Sequence, residues 1–253
     1  MNTPERVIDI IDTLASADCP VGVSEISRQL EIGKNNVFRI LSALDEKGWV
    51  KQDFETKRYS LTGAMARVAL KALSQLDIQK VSLPYLHELQ QVTGETSALS
   101  IRVELERMLI SFVPSNHNVR HIVTVGERRE LWYGSGGKAI LAFLTDEEID
   151  TVLKQFNTSG VTTLADGRTI TEETLREELA QIRKQGYSVA GGERYLEVYV
   201  VSAPIFNHNQ EVIGSISVSG PMSRFNEEKA NQYSTLIVEK AKKISSILGA
   251  KIE

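Results

Sequence analysis

The chain has 253 residues, 42% of them hydrophobic and 25% charged, a composition of a globular protein rather than a disordered one. Its length exceeds a usual single domain, so two domains are expected, and no apolar run approaches the roughly 18 residues needed to cross a bilayer. The net charge of −4 argues against indiscriminate nucleic-acid binding, yet residues 1–75 are balanced, with ten Lys plus Arg against ten Asp plus Glu, leaving 19 against 23 beyond them.

The N-terminus has no basic stretch followed by an apolar one, so no secretory signal is read and a cytoplasmic, membrane-free location is expected. Residues 4–17 read as an amphipathic helix with Val7, Ile10, Ile11 and Leu14 on one face. Cys19 is the only cysteine, which excludes an internal disulfide and a multi-cysteine zinc site; a small buried apolar residue is the expectation there. Residues 23–50 then read as two helices joined by a short turn. Ser24 is the predicted N-cap of the first, with Ile26 and Leu30 on its apolar side, and Glu31-Ile32-Gly33 breaks the pattern. The second starts near Lys34, buries Val37, Ile40, Leu41 and Leu44, and stops at Gly48. This is helix-turn-helix spacing, in which the second helix enters the major groove. Its polar face carries Lys34, Asn35, Asn36 and Arg39: Asn pairs bidentately with adenine, Arg with guanine, and Lys or a helix N-terminus with phosphate. The plain alternative is a solvated helix face. Residues 49–52 and 58–61 flank a charged tip and predict a hairpin wing whose Lys57 and Arg58 reach phosphates. From Lys34 to Arg58 there are six bases against four acids, a modest patch, so useful affinity implies at least a dimer.

Residues 62–76 predict a connecting helix after a first domain of residues 1–61. The remainder, 77–253, predicts a helix over 77–92, strands over 96–103, 108–113 and 121–125, and a short strand over 130–133. Helices follow at 135–144 and 145–156, the second with a capping box from Thr145 to Glu148, then a loop over 157–167. A helix over 171–185, strands over 187–190, 198–206 and 212–219, and a closing helix over 226–248 complete the chain. Hairpins without regular βαβ units give an α+β class: an N-terminal winged helix-turn-helix, a linker helix, and a C-terminal α/β domain on a largely antiparallel sheet, a ligand-sensor type of architecture.

PERVIDIIDTL, GKNNVFRILSALDEKGWV, RYSLTG, GSGGKAILAF, RKQGYSVAGGE, VVSAPIF and VIGSISVSGP, in this order, resemble the isocitrate-lyase-regulator (IclR) family of bacterial transcription factors over nearly the whole chain. The resemblance implies a DNA-binding regulator of a small-molecule catabolic or metabolic operon whose residues 77–253 form the effector-binding and oligomerisation domain, a homodimer or homotetramer, and no enzyme and no cofactor. The family often has Ser-Thr where this chain has Asn35-Asn36, which implies a different operator preference. Some carboxylate-binding members use an acid, a cysteine and two serines; the serines map to Ser217 and Ser219, the acid to about Gly191 or Gly192, and the cysteine to about Val200, so half of that set is present.

From the residues themselves, the start of the GSGGK helix offers free N–H groups to a carboxylate at Ser135, Gly136 and Gly137, while Trp132, Tyr133, Tyr199 and Val200 could enclose a larger, aromatic body. Core packing is the competing role for Trp132 and Tyr199. Ser135 to Lys138 matches S-x-x-K, but the accompanying acylase elements are absent. Gly134, Gly136 and Ala139 match G-x-G-x-x-A without a surrounding βαβ unit, and Ala139 after Lys138 excludes a P-loop. His117 and His121 have metal-like spacing but no cysteine support, so a structural or ligand-contacting role is expected in place of a metal one. The alternative to a regulator is a small-molecule-binding or enzymatic domain with a helical appendage.

Overall fold

The computed structural model describes residues 3–73, 77–159 and 163–252, so the end of the predicted connector at 74–76 and the middle of the predicted 157–167 loop lie outside the described residues. The chain divides into two compact units, residues 1–76 and 77–253.

In the first unit α1 (Thr3–Ala15), α2 (Val23–Gln29) and α3 (Lys34–Glu46) surround a core of Ile10, Leu14, Ile26, Val37, Ile40, Leu41 and Leu44, the stripes that the periodicity selects. A two-stranded hairpin, β1 (Val50–Gln52) with β2 (Tyr59–Leu61), closes it, and α4 (Gly63–Leu73) follows. Two local expectations are corrected, the Ser24 cap and a buried Cys19. Gly22, not Ser24, is the N-cap of α2, and Ser24 lies inside the helix. The pattern breaks at Glu31-Ile32-Gly33 as expected, with Glu31 left-handed (φ 56°) and Gly33 the N-cap of α3; the Ser27 hydroxyl donates to the Ile32 carbonyl at 2.7 Å and seals that turn. Cys19 is exposed.

The second unit is a six-stranded, wholly antiparallel sheet of β3 (Thr96–Val103), β4 (Glu106–Val113), β5 (Arg128–Glu130), β6 (Ser188–Gly191), β7 (Val198–Phe206) and β8 (Val212–Pro221), in the order β5-β4-β3-β8-β7-β6. Before it comes α5 (Ile78–Thr93), capped by the Asp77 carboxylate and ended by left-handed Gly94; after it comes α9 (Glu227–Ile247), capped by Asn226. Between β5 and β6 run α6 (Gly134–Leu141), α7 (Asp146–Ser159) and α8 (Glu172–Gln185). The capping box predicted from Thr145 to Glu148 is formed, and Thr171 caps α8 with Thr174.

Side chains alternate across the pleat, which gives the sheet two different faces. Leu99, Val201, Ala203, Ile205, Ile216 and Val218 pack with Leu86 and Leu89 of α5 and Ile237, Ala241 and Ile244 of α9. The other face receives α6. Ser215 donates to the Gly136 carbonyl at 3.0 Å, and Ser135 donates to Ser202 Oγ at 2.7 Å. A separate core of Leu131, Trp132, Leu141, Val152, Phe156, Leu175 and Leu179 joins α6, α7 and α8.

The strand predicted over 121–125 is not formed. Residues 121–124 have no ladder partner, and the segment crosses the serine face of the sheet, tied by the Thr96 hydroxyl donating to the His121 carbonyl at 3.1 Å. The short strand predicted over 130–133 lies two residues earlier, because Leu131 and Trp132 turn into the α7–α8 core before α6 begins. The helix predicted to stop at 156 continues to Ser159.

Candidate functional site

Two candidate sites lie in separate units. In the first, the buried stripe of α3 fixes what the opposite side presents: Lys34, Asn35 and Arg39 are exposed and Asn36 is half-buried. The N-cap Gly33 supplies no side-chain acceptor, so the first N–H groups of α3 have no side-chain cap and point to where a phosphate would sit. Phe38 stands beside Arg39 on the same side with 55% of its surface exposed, a residue that stripe analysis passes over because it is apolar.

The wing turn is built by Asp53, whose carboxylate accepts from the Thr56 N–H and hydroxyl, both at 2.7 Å; those bonds hold its pKa below the ordinary carboxylate range. Lys57 sits in a left-handed conformation (φ 57°) with its ammonium 4.5 Å from the centre of the exposed Phe54 ring. Arg58 differs from its neighbour: its guanidinium donates to the Pro20 carbonyl at 2.7 Å and lies 3.3 Å from Glu25, contacts that fasten the wing to the start of α2.

In the second unit a cavity of about 120 Å³ opens on the serine face of the sheet. Of the residues singled out from the sequence, His121, Tyr133, Gly134, Ser135, Gly136, Val200, Ser217 and Ser219 line it. Ser217 has only a 3.5 Å contact to the Ala98 carbonyl, long for a hydroxyl, whereas Ser219 meets His121 Nδ1 at 2.9 Å. Ser135 is occupied, since its hydroxyl also lies 2.9 Å from the Ser188 carbonyl, and so it anchors α6 on β6 and β7.

Three expectations for this site are corrected. Trp132 is 5% exposed in the α7–α8 core, edge-on to Phe156 at 5.9 Å. Tyr199 adjoins Val200 on one strand, so the two must face opposite sides, and Tyr199 packs on the α9 side. Gly137 is small for packing: a Cβ there would lie 2.6 Å from the Leu131 carbonyl oxygen.

The mouth of the helix is also occupied. Glu193, 6% exposed, accepts from the Gly134 N–H at 2.9 Å and from Lys138 Nζ at 2.6 Å, so an internal carboxylate already caps α6. Lys138 is 1% exposed and has Glu178 as its second carboxylate at 2.8 Å.

Other polar lining residues came from outside the predicted set: Arg107 of β4, Glu127 of the loop between β4 and β5, and Arg194 after β6; His121 of that loop lines the chamber beside them. Arg194 donates to both oxygens of Glu127, at 2.7 and 3.1 Å, and these bonds hold the Glu127 carboxyl below its ordinary pKa. Burial, with Arg194 nearby, pushes the His121 imidazole below its ordinary value. The available signal for Arg107 was a charge within a run of strand formers, two residues before Leu109 and therefore on the same face.

The geometry thus combines an exposed polar helix face with a small, partly polar chamber. Residues 3–53 match the model of the IclR helix-turn-helix domain, and residues 70–246 match that of the bacterial transcriptional regulator IclR C-terminal region. The chain is 29% identical over 245 residues to the HTH-type transcriptional regulator KdgR of Escherichia coli, covering 96% of this chain and 91% of that one. It is 31% identical over 252 residues to the HTH-type transcriptional repressor AllR of Salmonella typhimurium, covering 98% and 90%. In fold it is similar to a regulator structure from Silicibacter sp., with a TM-score of 0.86, 24% identity, and 100% and 98% of the two chains covered. Among the described residues no helix is long and apolar enough to cross a membrane.

Proposed function

The chain belongs to the IclR family of bacterial transcriptional regulators, which are DNA-binding proteins and not enzymes, and on that footing we propose that it is a ligand-responsive regulator of a small-molecule catabolic or metabolic operon. It acts in the cytoplasm on a double-stranded DNA operator. Lys34, Asn35, Asn36 and Arg39 meet the major groove and Lys57 meets a flanking phosphate, while Phe38 offers the apolar surface that a thymine methyl accepts. Arg58 holds the wing in place and contributes charge near the backbone. One copy presents too few cations for useful affinity at physiological salt, so the working form is a homodimer or homotetramer. Its effector is a carboxylate, aromatic ones included, bound in the chamber beside Ser217, Ser219 and Gly136.

The observation that carries this reading is the chamber itself: a polar cavity on the serine face, in a chain whose other unit is a winged helix-turn-helix. Its test uses duplexes selected from random sequence by the wild-type protein. Arg39→Ala is expected to weaken binding by about 1–3 kcal/mol, the worth of one bidentate base contact, with unliganded stability unchanged. Ser217→Ala with Ser219→Ala is expected to retain DNA binding but lose the change in affinity that a carboxylate produces. Full affinity in the first variant removes Arg39 from the reading face, and a full ligand response in the second places the effector elsewhere.

A further inference from the structure

One cation in the chamber makes no ion pair: Arg107 feels the carboxylates of Glu127 and Glu130 without a salt bridge to either. The Arg107 guanidinium is buried, which pushes its pKa below the ordinary arginine value. Its Nε has no hydrogen-bond partner, and its side chain makes one long bond, from Nη1 to Ser100 Oγ at 3.4 Å. The two carboxylates of the chamber are already matched: Glu127 by Arg194 at 2.7 Å and Arg129 at 2.5 Å, and Glu193 by Lys138 at 2.6 Å. An arginine does not shed its proton to escape burial, so an unmatched one is held against the stability of the fold. The start of α6 packs directly beside its stem: a Cβ at Gly136 would lie 3.7 Å from Arg107 Cδ, an ordinary van der Waals contact.

We infer that Arg107 is the charge anchor for a small organic anion with one negative charge, a monocarboxylate, in this chamber; the inference rests on reading the chamber as the effector site. The carboxylate accepts from Arg107 Nε and one Nη in the fork geometry that guanidinium favours. Its body lies against Ala98, Leu109, Val198 and Val200, and Ser217 supplies a hydroxyl. Single charge follows from the inventory, because a second carboxylate would face Glu127 and Glu193 with no free cation among the described residues lining the chamber. Size follows from the volume: about 120 Å³ is close to the roughly 150 Å³ of a cavity that admits benzene.

Melting temperature and calorimetry on the full chain test this with acetate, butyrate and benzoate, their primary amides, and the dianions succinate and phthalate, at matched ionic strength. At least one monocarboxylate is expected to raise the melting temperature of the wild type, with amides and dianions inert. Arg107→Gln is expected to lose that shift while its unliganded melting temperature stays level or rises, and Arg107→Lys to keep the charge but bind roughly 10- to 100-fold more weakly. If Arg107→Gln fails to fold, the Lys variant decides: wild-type affinity in it overturns the anchor. An unchanged response in Arg107→Gln, or no response of the wild type to any monocarboxylate, overturns it too. If Arg107→Gln keeps the response while the Ser217 and Ser219 double variant loses it, the chamber stands and only the anchor falls; if both keep it, the chamber reading falls as well.

Discussion

Glu193→Gln is expected to loosen the second unit by about 3 kcal/mol. The carboxylate is 6% exposed and takes Lys138 Nζ on one oxygen at 2.6 Å and the Gly134 N–H on the other at 2.9 Å. Glutamine keeps one acceptor and turns an NH₂ toward a donor. Either the ammonium loses a charge-assisted bond of about 1.5–3 kcal/mol or a buried N–H is left unmatched at about 1–3 kcal/mol. Glu178 remains on Lys138 at 2.8 Å, which keeps the total below the sum. The measurement is urea unfolding followed by the fluorescence of Trp132 in a Trp49→Phe background, so that the second unit alone is read. With a slope of about 3 kcal/mol/M the midpoint should fall by about 1 M without a change of slope. Adding Lys138→Met should recover part of the loss, since a buried pair replaced by apolar groups is far less costly than one broken on one side. A midpoint within about 0.3 M of the parent would refute the reasoning, because it would mean that the α6 cap is satisfied without that carboxylate.

Lys57→Gln should make the slope of log affinity against log salt shallower by about one, as for one lost phosphate contact, whereas Arg58→Ala should chiefly lower the melting temperature of the first unit, which sets free the wing held at Pro20 and Glu25. Equal effects of the two on the salt slope alone would contradict this division. The folded His121 imidazole resists protonation while the unfolded one accepts it near pH 6.5, so the unfolded chain binds more protons just below that pH. Stability should therefore be lost as pH falls from about 6.5 toward the depressed folded value, and His121→Gln should flatten that part of a stability-against-pH curve. An identical curve for the variant would exclude His121 as the cause.

Sequence legibility followed the range of the forces involved. The periodicity of residues 37–44 marks the buried stripe of α3 and so names its outer face, because a helix has only one geometry for such spacing. The runs 96–103 and 198–206 form strands over those bounds, and caps such as Thr171 and Asn226 work through atoms three residues away. Ser215, Ser217 and Ser219 fall on one face of β8 for the same local reason.

Alternation along β7 is enough to put Tyr199 and Val200 on opposite faces of the sheet. Tertiary structure alone decided which face of the sheet holds a chamber, that Trp132 turns into the helical core, and that the β-forming residues of 121–125 line a rim instead of joining a ladder. Ile122 and Val125 are 79% and 55% exposed there: β5 pairs with β4 only over Glu106–Met108, and residues 121–124 lie across the serine face instead of along the rest of that edge. Arg107, His121, Glu127 and Arg194 come from segments far apart in the chain and meet only through strand order and loop closure. Propensity, capping and periodicity act over a few residues. The pairing of charges around the chamber, which leaves Arg107 without an ion pair there, depends on which segments the sheet brings together.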